Sequence, residues 1–144
     1  MKGDLTMERL FEMANFYKED LDLPVNVWLD ENKTYLLGKH GKRIKFQINY
    51  MPKIRDEYMC PMMLDGEIPP RILKKMKKSK DWEISTRDLE RVRNFVINNY
   101  YVLDLMSDQR LKRKDFEKIV IKGGFFASDE EVDNQIEIAN DMIY

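Results

Sequence analysis

The sequence contains one histidine and one cysteine among 144 residues, His40 and Cys60. This is too few for a zinc site of nitrogen and sulfur ligands, and a single cysteine cannot form an internal disulfide. We therefore expect no metal and no other cofactor. No apolar run approaches the roughly 20 residues that cross a bilayer, and the first residues do not resemble a signal peptide. We expect a cytoplasmic protein that does not contact a membrane.

Motifs of catalysis and phosphate binding are also scarce. Gly123-Gly124 lacks the lysine and the spacing of a P-loop, and no GxGxxG motif occurs. Cys60 precedes Pro61 in an apolar run, which favours a buried and inert thiol. We therefore expect a non-catalytic protein. One catalytic alternative is a toxin-like ribonuclease, in which His40 acts as general base and nearby cations stabilise the phosphorane.

Charge is balanced in total and uneven along the chain. There are 25 cations and 26 acids, for a formal net charge of -1. Residues 71–80 hold cations and no acid, whereas residues 128–144 hold acids and no cation. The near-neutral total argues against non-specific nucleic-acid binding, but a local basic patch can still bind an acidic partner.

Hydrophobic periodicity predicts an α+β fold. We expect a small antiparallel sheet of three to four strands, covered on one face, packed against a long helix, with additional C-terminal helices. The expected first helix spans residues 5–16, and the expected strands span residues 24–29, 34–37, 43–50 and 58–64. Pro61 places the last strand at an edge or breaks it, because proline cannot donate to a ladder.

The second half of the chain reads as helical. A short basic helix is expected over residues 72–78, a long helix from Ser85 to about residue 106, and further helices over residues 114–121 and from Ser128. Ser128 and Glu131 have the spacing of a capping box. We expect one domain over residues 1–122 and a C-terminal capping helix, loosely docked, over residues 123–144.

Two basic segments are the candidate binding sites. On the strand that begins at Arg43, alternation puts apolar side chains in the core and a second set on a solvated face, next to a glycine-flanked turn. This first set comprises Lys39, His40, Lys42, Arg43, Lys45, Gln47 and Asn49. The second set lies on the basic helix and comprises Arg71, Lys74, Lys75, Lys77 and Lys78. The alternative for both is an ordinary solvated surface, with lysine discouraging edge pairing on the strand.

Part of the chain has a familiar pattern. Residues 14–50 carry an LPxxxWL segment at Leu23–Leu29 and a KHGxRIKF segment at Lys39–Phe46. They resemble a group of short bacterial and phage proteins to which no activity is assigned. The resemblance implies a small sheet followed by a helix with an asparagine-containing turn, which Asn98-Asn99 matches, and it suggests an association with mobile elements.

The leading hypothesis is a non-catalytic macromolecular binding protein. By analogy with other proteins of this size and charge polarity, we expect a phage or mobile-element inhibitor of host defence machinery that occupies a charged surface. Its partner would be a protein or a nucleoprotein. A direct RNA- or DNA-binding module is the alternative, the ribonuclease using His40 is a further one, and a homodimer through the C-terminal helix stays open.

Overall fold

Four antiparallel strands form the sheet in the computed structural model, which describes residues 13–30 and 41–144. Their order across the sheet follows the chain, so each strand pairs with its sequence neighbours. A single turn of helix, α1, follows the first strand, and five further helices follow the last. The strands are β1 (Met13–Phe16), β2 (Val27–Asp30), β3 (Arg43–Gln47) and β4 (Met59–Met63). The helices are α1 (Lys18–Leu21), α2 (Pro70–Lys77), α3 (Thr86–Asn98), α4 (Tyr100–Ser107), α5 (Arg113–Ile119) and α6 (Asp129–Met142). This confirms the predicted α+β class.

The first predicted helix is wrong where it can be compared. Residues 13–16 are extended and pair with β2, with Phe16 opposite Val27. Strand pairing and burial of Phe16 against Phe116 outweigh the helical spacing of the local sequence. The rest of that helix and the predicted strand at residues 34–37 lie outside the described residues.

The core face of the sheet follows the predicted alternation. Ile44, Phe46 and Ile48 are completely buried and belong to one apolar cluster that the helices complete. The same alternation over residues 43–50 places Tyr50 in the core, and that prediction is wrong because its side chain is 41% exposed. Its hydroxyl accepts from the Ser85 backbone N–H at 3.0 Å and donates to Asp88 at 2.6 Å, so it fixes the start of α3.

The second face of the sheet is also buried, contrary to prediction. Trp28 pairs with Lys45 in the register, and Lys45 pairs with Pro61, so the three side chains form a row across β2, β3 and β4. Trp28 is 1% exposed and Lys45 is 8% exposed. The strand pattern identifies two faces correctly, but it gives no information on whether the polar face meets water.

The predicted long helix is divided at Asn99. Its backbone (φ -112°, ψ 18°) leaves the helical region between α3 and α4. The Asn99 side chain, which is fully buried, donates to the Phe95 and Ile121 carbonyls at 2.8 and 2.9 Å. Its oxygen accepts from the Ile121 N–H at 2.9 Å and from Gln135 at 2.7 Å. This one amide therefore connects three parts of the chain. They are the break between α3 and α4, the segment that follows α5, and helix α6.

Neighbouring side chains of α3 hold the loop that leads into α6. Asn98 donates to the Phe125 carbonyl at 2.5 Å and accepts from the Ala127 N–H at 3.2 Å. Gly124 has φ +71°, and a Cβ there would lie 2.1 Å from the Arg91 carbonyl oxygen, so only glycine fits this approach. Helix α6 packs against α4 and α5. The predicted domain boundary at residue 122 stays a prediction.

Helix starts follow the predicted capping. Ser85 accepts from the Asp88 N–H at 3.1 Å, and Ser128 forms a complete capping box with Glu131. Pro70 occupies the first position of α2, where a missing N–H costs nothing. These local signals are readable because they depend on residues three positions apart.

Replacing Asn99 tests its role in the fold. We expect Asn99→Ala to lower the free energy of unfolding by about 2–4 kcal/mol, since it leaves several buried groups without partners. The matched control is Asn94→Ala, which removes only a 3.4 Å bond to the Gly124 carbonyl and should cost less than about 1 kcal/mol. Urea denaturation measures both. Equal losses would contradict a special role for Asn99.

Candidate binding surface

The polar residues of β3 form an internal network instead of a solvated face. Gln47 is 2% exposed and Asn49 is 1% exposed. Gln47 accepts from Asn26 at 3.2 Å and donates to Asn49 at 2.9 Å and to the Met51 carbonyl at 2.6 Å. Asn26 in turn accepts from the Lys18 N–H at 2.9 Å, at the start of α1. The prediction that Gln47 and Asn49 are solvated is therefore wrong, because these amides satisfy one another and nearby backbone.

The cations at the start of β3 are engaged by acids. The Lys42 ammonium lies 2.6 Å from Asp104 and 2.8 Å from Asp108, at the C-terminal end of α4, where the helix dipole also favours a cation. Burial works against the charged form, but these hydrogen bonds outweigh it and raise the pKa of Lys42. Arg43 Nε lies 3.1 Å from the nearly buried Asp30 carboxylate.

Lys45 is the third cation of the predicted strand site that lies next to an acid. Its ammonium lies 4.0 Å from Asp56, and its side chain is 11% exposed. Of the predicted strand site, Lys42, Arg43, Lys45, Gln47 and Asn49 are thus tied into the fold. Lys39 and His40 lie outside the described residues, so the turn predicted there and the ribonuclease hypothesis stay predictions.

The cations of the basic helix α2, unlike those at the start of β3, are exposed. Ile72, Leu73 and Met76 pack against the core, and α2 lies against the edge strand β4. The remaining positions point outward and are exposed. They are Arg71, Lys74, Lys75, Lys77 and Lys78, and among the described residues none of them forms an ion pair.

The cation spacing on α2 produces a continuous stripe. Lys74 and Lys75 follow Arg71 by three and four positions, and Lys78 follows them by four and three. The four cations therefore lie on one side of the helix. The stripe spans about 10 Å at 1.5 Å per residue. Like charges this close repel one another, which raises the free energy of the unbound helix. Binding of an acidic partner would remove this repulsion. This stripe is called the basic face below.

An acidic face lies on α6. Glu130, Asp133, Glu137 and Asp141 are exposed and repeat at the same spacing, on the side of the helix opposite the buried Gln135 and Ala139. Within the described part of the chain, none of these four acids forms an ion pair. Just before this helix, Phe125 is 61% exposed and Phe126 is 79% exposed. This aromatic pair was not predicted from the sequence as part of a binding surface.

The described residues were compared with three further kinds of site: a reactive thiol, a metal site and a membrane-spanning helix. Cys60 is fully buried, and burial raises the pKa of its thiol to about 12, so almost no thiolate is present at neutral pH. Across residues 13–30 and 41–144, no group of three or more histidine, cysteine or acidic side chains is placed to hold a metal ion. No described helix has the length and apolar character needed to span a membrane.

A cleft lies between α1 and α5. It has a volume of about 430 Å³ and is lined by Phe16, Glu19, Asp20, Leu21, Arg113, Glu117, Val120 and Lys122. Arg113 is already occupied: it lies over the Phe16 ring, donates to the Asn15 carbonyl and pairs with Glu117 at 3.4 Å. The lining contains both acids and cations, and Arg113 already has partners in the same chain. The cleft therefore does not indicate a particular class of ligand.

Comparison with known proteins finds no matching family model, no matching curated protein and no matching solved structure. The resemblance of residues 14–50 to short bacterial and phage proteins stays a prediction.

Replacing Gln47 distinguishes a structural strand from a binding strand. We expect Gln47→Leu to lower the free energy of unfolding by about 2–3 kcal/mol, because Asn26, Asn49 and the Met51 carbonyl lose a partner. Lys74→Leu on the exposed basic face should change it by less than about 0.5 kcal/mol. Urea denaturation followed by circular dichroism measures both. A fully stable Gln47→Leu protein would contradict the structural assignment.

Proposed function

We propose that the protein is a non-catalytic binding protein whose basic face on α2 docks onto an acidic surface of a partner protein. One observation carries the proposal. Helix α2 directs its apolar side chains into the core and its cations outward, with no acid among residues 71–80 to neutralise them. The other predicted site supports this choice by contrast, since Lys42, Arg43 and Lys45 already lie next to acids of the same chain.

An acidic protein surface fits this helix better than nucleic acid does. The stripe of four cations is only about 10 Å long, enough for a few phosphates of a duplex that carries one charge per about 1.7 Å. The formal net charge is -1, so the chain as a whole does not draw a polyanion to it. Inhibition of host defence, the narrower role expected from the sequence, would act through this face.

A pull-down with charge-reversed variants tests the proposal. We expect the wild-type chain to retain a partner protein from host extract in stoichiometric amount after nuclease treatment. Lys74→Glu with Lys78→Glu should lose it, since two repulsive contacts replace two attractive ones. The matched control is Lys53→Glu with Lys114→Glu, which makes the same charge change at exposed positions away from α2 and should keep the partner.

Two outcomes would contradict the proposal. Retention by the α2 variant would show that the basic face is not the contact. Loss of all retained material after nuclease treatment, together with a mobility shift of RNA or DNA that weakens steeply with salt, would instead favour a nucleic-acid-binding module.

A further inference from the structure

The basic face and the acidic face lie on helices that pack against different elements of the fold. Helix α2 packs against β4, at one edge of the described sheet. Helix α5 lies at the other edge, where Phe116 meets Phe16 of β1, and α6 packs on α4 and α5. The four strands alone separate the two edges by about 14 Å, at roughly 4.8 Å per strand. Across residues 13–30 and 41–144, no ion pair joins the two faces within one chain.

We propose that the acidic face of α6 and the adjoining Phe125-Phe126 pair receive the basic face of α2 from a second copy of the chain. The inference shares α2 with the proposed function and adds a surface which that function does not use. The resulting contact joins two different surfaces, so copies assemble head to tail into a ring or an open chain.

Charge and spacing make the two faces complementary. On α2 the cations recur every three or four residues over Arg71–Lys78, and on α6 the acids recur in the same way over Glu130–Asp141. Two helices laid side by side can therefore pair cation with acid along about 10 Å, the length of the shorter stripe. Each exposed pair contributes little, about 0–1 kcal/mol, so charge alone gives a weak contact that is sensitive to salt.

The aromatic pair supplies the apolar part of the contact. The loop that carries Phe125 and Phe126 is held in place, because Asn98 donates to the Phe125 carbonyl and accepts from the Ala127 N–H. Arg91 packs over the Phe125 ring, with its guanidinium 5.2 Å from the centroid. Aromatic faces attract cations, and lysine carries an apolar stem that covers such rings. A surface of exposed rings followed by acids therefore suits a lysine-rich helix more than it suits an uncharged one.

A charge-swap experiment tests the inference in the full chain. One variant, Lys74→Glu with Lys78→Glu, makes the basic face repel the acidic face. The other, Asp133→Lys with Glu137→Lys, makes the acidic face repel the basic face. All four positions are exposed, so both variants should fold as judged by circular dichroism. Sedimentation velocity over a concentration series measures the mass of each protein alone and of the two mixed.

At about 10 mM salt, where the Debye length is about 30 Å, the wild type should reach at least about twice the monomer mass as concentration rises. At about 1 M salt, where the Debye length is about 3 Å, it should be monomeric. Each variant alone should stay monomeric at low salt, and an equimolar mixture should regain the heavier species. A wild type that stays monomeric, or a mixture that does not associate, overturns the inference.

The same variants separate this inference from the proposed function. The α6 variant keeps the basic face, so it should retain the acidic partner of the pull-down while losing self-association. If the partner is retained and the wild type is monomeric at low salt, only the self-association is refuted. If the α2 variant both retains the partner and self-associates, the basic face has neither role.

Discussion

A buried amide must find hydrogen-bond partners, and the rest of this structure depends on the partners that Asn99 finds. Its side chain forms hydrogen bonds with Phe95 of α3, with Ile121 in the segment after α5, and with Gln135 of α6. The helix breaks at this point, and the segment after α5 is fixed against the break. Because α6 and the Phe125-Phe126 pair are placed from there, the outer surface of the molecule is defined by an interaction in its interior.

The two predicted binding sites illustrate two ways to treat polar groups. Gln47 and Asn49 are buried and satisfy each other, which makes them expensive to remove and leaves nothing for a partner. The apolar side of α2 packs against the core and its cations lie on the other side. Among the described residues, these cations form no ion pair that stabilises the fold. We therefore propose the helix as the binding site, where a change of charge costs the fold little.

Local rules account for what could be predicted from the sequence. Ser85 and Ser128 begin helices because capping involves residues three positions apart, and β3 follows a two-residue alternation. Burial of Lys45 depends instead on what covers the far side of the sheet, which alternation does not encode. The break at Asn99 interrupts a hydrophobic stripe that continues through it, because the partners that stabilise the break lie on distant segments.

Lysine footprinting tests the central claim, that the strand cations are structural and the α2 cations are free to bind. In the folded protein, an amine-reactive reagent should label Lys74, Lys75 and Lys77 at the rate of the urea-unfolded chain and label Lys42 and Lys45 at least about tenfold more slowly. The reason is that an ion-paired or buried ammonium must first lose its partners, a cost of roughly 1.4 kcal/mol per tenfold. Mass spectrometry reads each site. Fast labelling of Lys45 together with protection of Lys74 would contradict the account.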